Sequence, residues 1–378
     1  MKNRIEILDA LRGFSLLGIL MANMLYFQYD NIKLDAIHPA TWWDKLAYYF
    51  TKIFVEGSFI PIFGFLLGYS IILFVGSLEN RQLNTKGPLY RRTIGLMILG
   101  ILHILLVWDG DILLSYGSGL LILMLFIKRK AKTMLIWAVA LIVCTLPLLL
   151  MKTDILTMIL TETKATIEIL KNGTYFEVVK HRVGLSTNIS IIFLIIGLPI
   201  VIGFIAILSF FVMGPFVLIG MAAAKVGFFE NIEEKIGLLK RISLLIPIGL
   251  ACKAFLESEL FVGKLLHGLG AYMLAIGYIA AFTVIFISMK QSKLSKAFVN
   301  LGRLSLTNYL MQSIICTTFF YGYGFGFFGK LGVALGLVVA TTLYSLQLLV
   351  ANWYRQRYSI GPAEWVLRQF VDLNNERR

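Results

Sequence analysis

The densest set of groups able to move a proton is the stretch His103-Ile-Leu-Leu-Val-Trp108-Asp109-Gly110-Asp111. A histidine beside carboxylates at the edge of an apolar segment can make an oriented general base, with the carboxylate setting the tautomer and the other ring nitrogen accepting the proton. The same residues suit a plainer role, in which Asp109 and Asp111 cap the following helix and His103 bonds to a neighbouring one. Trp108, lying between them, is a candidate substrate contact. His38, in His38-Pro39-Ala40-Thr41-Trp42-Trp43, is a second candidate base, held near a membrane surface by an interfacial Trp pair. An inert loop histidine is the alternative there.

Asp9, Arg12 and Asn23 form the next constellation. At 100° per residue, the eleven residues from Arg12 to Asn23 return to within about 20° of one helix face, some 16 Å further along. Asp9 and Arg12 lie one turn apart and can pair with each other, while Asn23 can donate to or accept from a substrate group. Further on, Ser305, Asn308, Gln312 and Cys316 recur at steps of three and four, giving one polar stripe on a helix. That stripe suits either a route for a cytosolic ligand or hydrogen bonding between helices. Lys253, with Glu257 one turn onward, reads as an intrahelical ion pair.

The elements that must position these groups are apolar. Of 378 residues, 58% are hydrophobic and 15% charged, and the mean hydropathy is +0.81, a composition that excludes disorder and ordinary soluble enzymes. Apolar runs place ten membrane spans, near 8–28, 54–76, 93–108, 112–127, 133–151, 203–224, 242–262, 268–289, 304–325 and 331–351. The expected fold is an all-α, polytopic membrane helix bundle, with residues 1–378 forming a single integral membrane domain. Asp9 and Arg12 argue against a cleaved signal peptide. Residues 190–226 are nearly uninterrupted and apolar, and are read as one span preceded by an interfacial or re-entrant piece broken near Pro199. Residues 353–378 read as a cytoplasmic interfacial helix and tail.

A net charge of +14 in a soluble chain would point to nucleic acid, but these charges sit between apolar runs. Alternate connections carry 24 and 10 of the Lys and Arg residues, with Lys253 left inside a span. That bias places both termini in the cytoplasm and residues 29–53 and 152–202 outside. Regions 225–241 and 290–303 count as basic cytoplasmic loops. Cys144, Cys252 and Cys316 lie within apolar runs without metal-ligand spacing, the four histidines show no zinc motif, and no phosphate-binding Gly-rich loop with Lys is present. The expected partner is the lipid bilayer, with no metal and no nucleic acid; a homo-oligomer is compatible with this composition.

Three segments carry a family resemblance: Leu8-Asp-Ala-Leu-Arg12-Gly-Phe-Ser-Leu-Leu-Gly-Ile-Leu, the stretch from His103 to Leu113, and Gly302-Arg-Leu-Ser-Leu-Thr-Asn308-Tyr-Leu-Met-Gln312-Ser. With Gly361-Pro-Ala-Glu364-Trp365, they resemble the YeiB-like bacterial membrane proteins, domain of unknown function 418. The opening segment also resembles transmembrane acyltransferases. The bacterial O-acyltransferase type has His where this chain has Asn23; the heparan glucosaminide acetyltransferase type has Asn there and a catalytic His in the next luminal loop, a role that His38 matches. This resemblance implies transfer of an acyl group from cytosolic acyl-CoA to a sugar or cell-envelope acceptor on the far side of a bacterial cell membrane. A secondary transporter using the same polar groups is the competing expectation.

Overall fold

The computed structural model describes residues 6–29, 41–150, 164–183, 197–256, 258, 260–289 and 292–372. These residues form a helical bundle, and no strand occurs among them. Five helical stretches are long and apolar enough to cross a membrane: Glu6–Tyr29, Trp42–Asn80, Lys86–Leu106, Phe261–Ser288 and Val333–Arg357. Shorter apolar helices fill the space between them, and the whole is a multi-pass membrane bundle.

Helix α1 (Glu6–Tyr29) is the central post, touching α3 (Phe59–Asn80), α13 (Phe261–Ser288), α14 (Lys293–Arg303), α15 (Ser305–Phe320) and α16 (Val333–Arg357). Lipid tails are as apolar as a helix surface, so association relies on close packing of small residues. At the α1–α14 crossing a Cβ on Gly302 would lie 1.7 Å from the Asp9 carbonyl oxygen, and one on Gly13 would lie 2.3 Å from that of Phe298. Backbone therefore meets backbone there, and Tyr344 of α16 adds a 2.8 Å bond from its hydroxyl to the Gly13 carbonyl. Residues 293–303, expected as part of a basic loop, are thus a helix: Ala297, Val299, Leu301 and Gly302 are buried while the lysines project outward.

Helices α4 (Lys86–Leu106) and α5 (Leu113–Leu123) form an antiparallel pair joined by the turn that carries Asp109 and Asp111. Between α6 (Ala131–Leu150) and α13 the chain forms short pieces: α7 (Lys164–Asn172), α8 (Tyr175–Arg182), α9 (Leu198–Val212), α10 (Gly214–Lys225), α11 (Ile236–Ser243) and α12 (Leu245–Lys253). The piece expected ahead of Pro199 lies largely outside the described residues, and the span expected over 203–224 is broken within. Pro199 sits in the first turn of α9, where its missing N–H costs no helical bond, and the chain bends by 62° at Met213, ahead of Gly214 and Pro215. At the C-terminus, α16 continues through Arg357, so Trp353 belongs to it. Gly361 separates it from α17 (Pro362–Asp372), which packs on α4 and α15.

Two ends of the bundle are distinguishable. One gathers Glu6, Arg303, Glu364 and the start of α4, to which the Val371 carbonyl is tied by Arg91 at 3.1 Å. The other gathers the α4–α5 turn with α7 and α8: Arg182 donates to the Val107 carbonyl at 2.7 Å, and Gly322 to that of Leu170 at 2.9 Å. Trp42 and Trp43, at the start of α2 (Trp42–Phe50), are each 66% exposed, as an interfacial belt requires.

Candidate functional site

Gly100 begins the site. A Cβ there would lie 2.4 Å from the Leu114 nitrogen and 2.8 Å from Asp111 Oδ1, so only glycine lets the tip of α5 approach α4 this closely. That approach delivers Asp111 to His103, with Oδ2 2.7 Å from Nδ1, and the two side chains are 0% and 1% exposed. The other oxygen, Oδ1, accepts the Leu114 N–H at 2.7 Å. Helix capping and histidine orientation, alternatives at the level of residue spacing, are carried out by one carboxylate.

With Asp111 as acceptor, the proton of the neutral imidazole sits on Nδ1 and the lone pair on Nε2. His103 Nε2 is buried and has no hydrogen-bond partner among the described residues. A buried ring nitrogen without a partner is costly, and such a group calls for an account. Tyr309 of α15 closes the arrangement: its ring centroid is 5.4 Å from that of His103, and its hydroxyl accepts the N–H of Ile112, next to Asp111, at 3.2 Å. Sequence reasoning missed Tyr309. The signal was its spacing of one turn from Ser305, which puts the two on one face of α15.

Tyr309 and Ser305 both line a cavity of about 240 Å³, together with Arg12, Ser70, Arg92 and Arg303. Arg12 bonds Asp9 at 2.7 Å and also Ser70; Arg303 reaches the other Asp9 oxygen at 3.3 Å. The expected Asp9–Arg12 pair is therefore present, and Arg303 extends it into a triad. Arg92 and His103 are eleven residues apart on α4, on nearly one face and some 16 Å from each other along the axis. A basic cavity and a proton acceptor thus lie at successive depths on the same helix.

The remaining candidates lie apart from this arrangement. Asn308 and Gln312 face α16: Gln312 donates to Gln347 at 2.8 Å, Gln347 to the Asn308 carbonyl at 3.1 Å, and the Asn308 amide to the Leu304 carbonyl at 2.9 Å. Gln312 and the Asn308 backbone thus bond across helices, while the Asn308 side chain bonds within its own turn. Trp108 is buried against Phe27, with ring centroids 4.2 Å apart, and packs as core. Asp109 is exposed and contributes its backbone carbonyl to the turn, and half-buried Asn23 makes no side-chain hydrogen bond among the described residues. His38 lies outside the described residues, as does Glu257. Buried Lys253 donates to the Glu56 carbonyl. Among the described residues, no group of three or more His, Cys, Asp and Glu side chains could hold a metal ion.

Fold and site together define a multi-pass helical membrane protein with a buried His–Asp pair behind an arginine-lined cavity. Residues 223–374 match the family described as "Protein of unknown function (DUF418)". Nearly the whole chain is also similar to bacterial relatives. It is 29% identical to "Uncharacterized protein YxaH" of Bacillus subtilis (strain 168) over 98% of this chain and 95% of the relative. It is 28% identical to "Uncharacterized protein YeiB" of Escherichia coli (strain K12) over 96% and 95% respectively. Together these similarities support a YeiB-like family. No solved structure matches it.

Proposed function

We propose that the chain is a membrane acyltransferase-like enzyme of the bacterial cell membrane, moving an acyl group from cytosolic acyl-CoA to an extracytoplasmic sugar or envelope hydroxyl. The observation that supports this reading is the buried, unpartnered Nε2 of His103, whose other nitrogen is held by Asp111. In the reaction, Nε2 takes the acceptor hydroxyl proton while the oxygen bonds the thioester carbonyl carbon. The carbon–sulfur bond breaks and the thiolate leaves, taking up a proton. Tyr309, whose ring lies beside that of His103 and whose hydroxyl accepts the N–H of Ile112, next to Asp111, steadies the pair. The test is release of free CoA thiol by the purified chain given acyl-CoA and envelope extract. His103→Gln should remove the release while leaving the fold intact, and His38→Ala, run in parallel, asks whether the outer-loop histidine is the base instead.

Secondary transport is the second reading, favoured by the 62° break between α9 and α10 and by the short pieces α11 and α12. Substrate flux in proteoliposomes with no thiol release from any acyl-CoA would favour it over the enzyme.

A further inference from the structure

We propose that the cavity bounded by Arg12, Arg92 and Arg303 is a binding site for a phosphate-bearing group, anchored by Arg92. This claim concerns binding at the basic cavity and stands apart from proton transfer at His103.

The charges that surround the cavity are unequally matched. Three guanidiniums line it against one carboxylate, Glu364. That carboxylate is turned away to the start of α15, where Oε1 accepts the N–H groups of Leu306 at 2.8 Å and Thr307 at 3.2 Å, and Oε2 accepts the Thr307 hydroxyl at 2.5 Å. Asp9 divides its two oxygens between Arg12 and Arg303, and exposed Glu6 stands 3.6 Å from Arg303. Arg92 has no carboxylate within ion-pair distance among the described residues. Its charged neighbour is Arg12, which repels it, and its guanidinium lies 5.2 Å from the centre of the Phe74 ring. A cation placed beside another cation within a span is costly unless an anion completes it. The Ser305 hydroxyl, also on the wall, makes no hydrogen bond among the described residues.

The geometry selects the class of anion. The three guanidiniums come from α1, α4 and the end of α14, so their flat donor forks approach from different helices. A tetrahedral phosphate presents oxygens in all these directions, whereas a carboxylate presents two in one plane. Much of the rest of the wall, including Phe63, Leu66 and Leu67, is apolar and suits the uncharged part of a phosphate ester. That ester comes either from a soluble nucleotide-type donor or from a phospholipid headgroup.

Calorimetry on the purified full chain in a neutral detergent distinguishes these, using CoA as the soluble phosphate ester, dihexanoyl phosphatidylglycerol as the lipid, and succinate as the carboxylate control. One of the two phosphate probes should bind more tightly than succinate, and whichever does names the source. Arg92→Gln should weaken it about tenfold or more, with Arg92→Lys in between because it keeps charge without the fork. In the unaltered protein, phenylglyoxal modification of Arg92, read by mass spectrometry, should be slowed by the same probe, which keeps the test open if the variants do not fold. Succinate binding as tightly as both phosphates, equal affinity in Arg92→Gln, or no protection of Arg92 would each overturn the proposal. His103→Gln should leave both readouts unchanged. Absence of thiol release from the unaltered protein, with phosphate binding intact, therefore counts against the enzyme reading alone.

Discussion

Asp111→Asn separates the two tasks that this carboxylate performs. The amide oxygen can still accept the Leu114 N–H, now made at 2.7 Å, while its NH2 faces His103 Nδ1, which now lies 2.7 Å from a carboxylate oxygen. Facing a donor, Nδ1 must become the acceptor, so the ring proton moves to Nε2 and the nitrogen that should take a proton no longer has a lone pair. The cost in stability is the charged character of one hydrogen bond, about 1–2 kcal/mol, because the helix cap is retained. Asp111→Ala loses the cap as well and leaves His103 Nδ1 buried without a partner, which raises the cost to about 3–5 kcal/mol. Turnover should fall about 10²- to 10⁴-fold in Asp111→Asn, the usual worth of a positioned general base. Thermal unfolding in detergent and thiol release from acyl-CoA, measured on the same preparations, give both quantities. An Asp111→Asn protein that unfolds like the wild type and turns over within about twofold of it would refute the tautomer argument.

Other expectations are independent of the chemistry. Gly302→Ala forces a Cβ into the Asp9 carbonyl, now 1.7 Å from that position, and should destabilise the bundle by about 1–3 kcal/mol in chemical denaturation while Gly87→Ala, with open space around it, should not. A double-mutant cycle of Gln312→Leu and Gln347→Leu should return a coupling of about 0.6–1.7 kcal/mol, and a value near zero would remove the interhelical assignment. Glu364→Ala strips three hydrogen bonds from the start of α15 and should speed hydrogen exchange across residues 362–372 and 305–308. For topology, a single cysteine replacing Lys171 should label from outside intact cells, and labelling only after permeabilisation would invert the assignment made from the basic residues.

Composition and apolar run length were enough to establish a membrane helix bundle, because a segment inside lipid must satisfy its own backbone and so declares itself in about twenty consecutive residues. The Asp9–Arg12 pair and the proximity of His103 to the Asp109–Asp111 turn were equally legible, since both lie within a helical turn or one tight connection. What separated Asp111 from Asp109 was tertiary: Gly100 draws α5 onto α4, burying one carboxylate against the imidazole and leaving the other exposed. Spacing along α15 could not say which polar residues face a cavity and which face α16, because a stripe has no direction until its neighbours are known. The bundle turned Ser305 and Tyr309 to the cavity and Asn308 and Gln312 to Gln347. The convergence of Arg12, Arg92 and Arg303 was decided there too. These residues are distant in sequence, and only the packing of α1, α4, α14 and α17 at one end of the bundle brings their charges around one space.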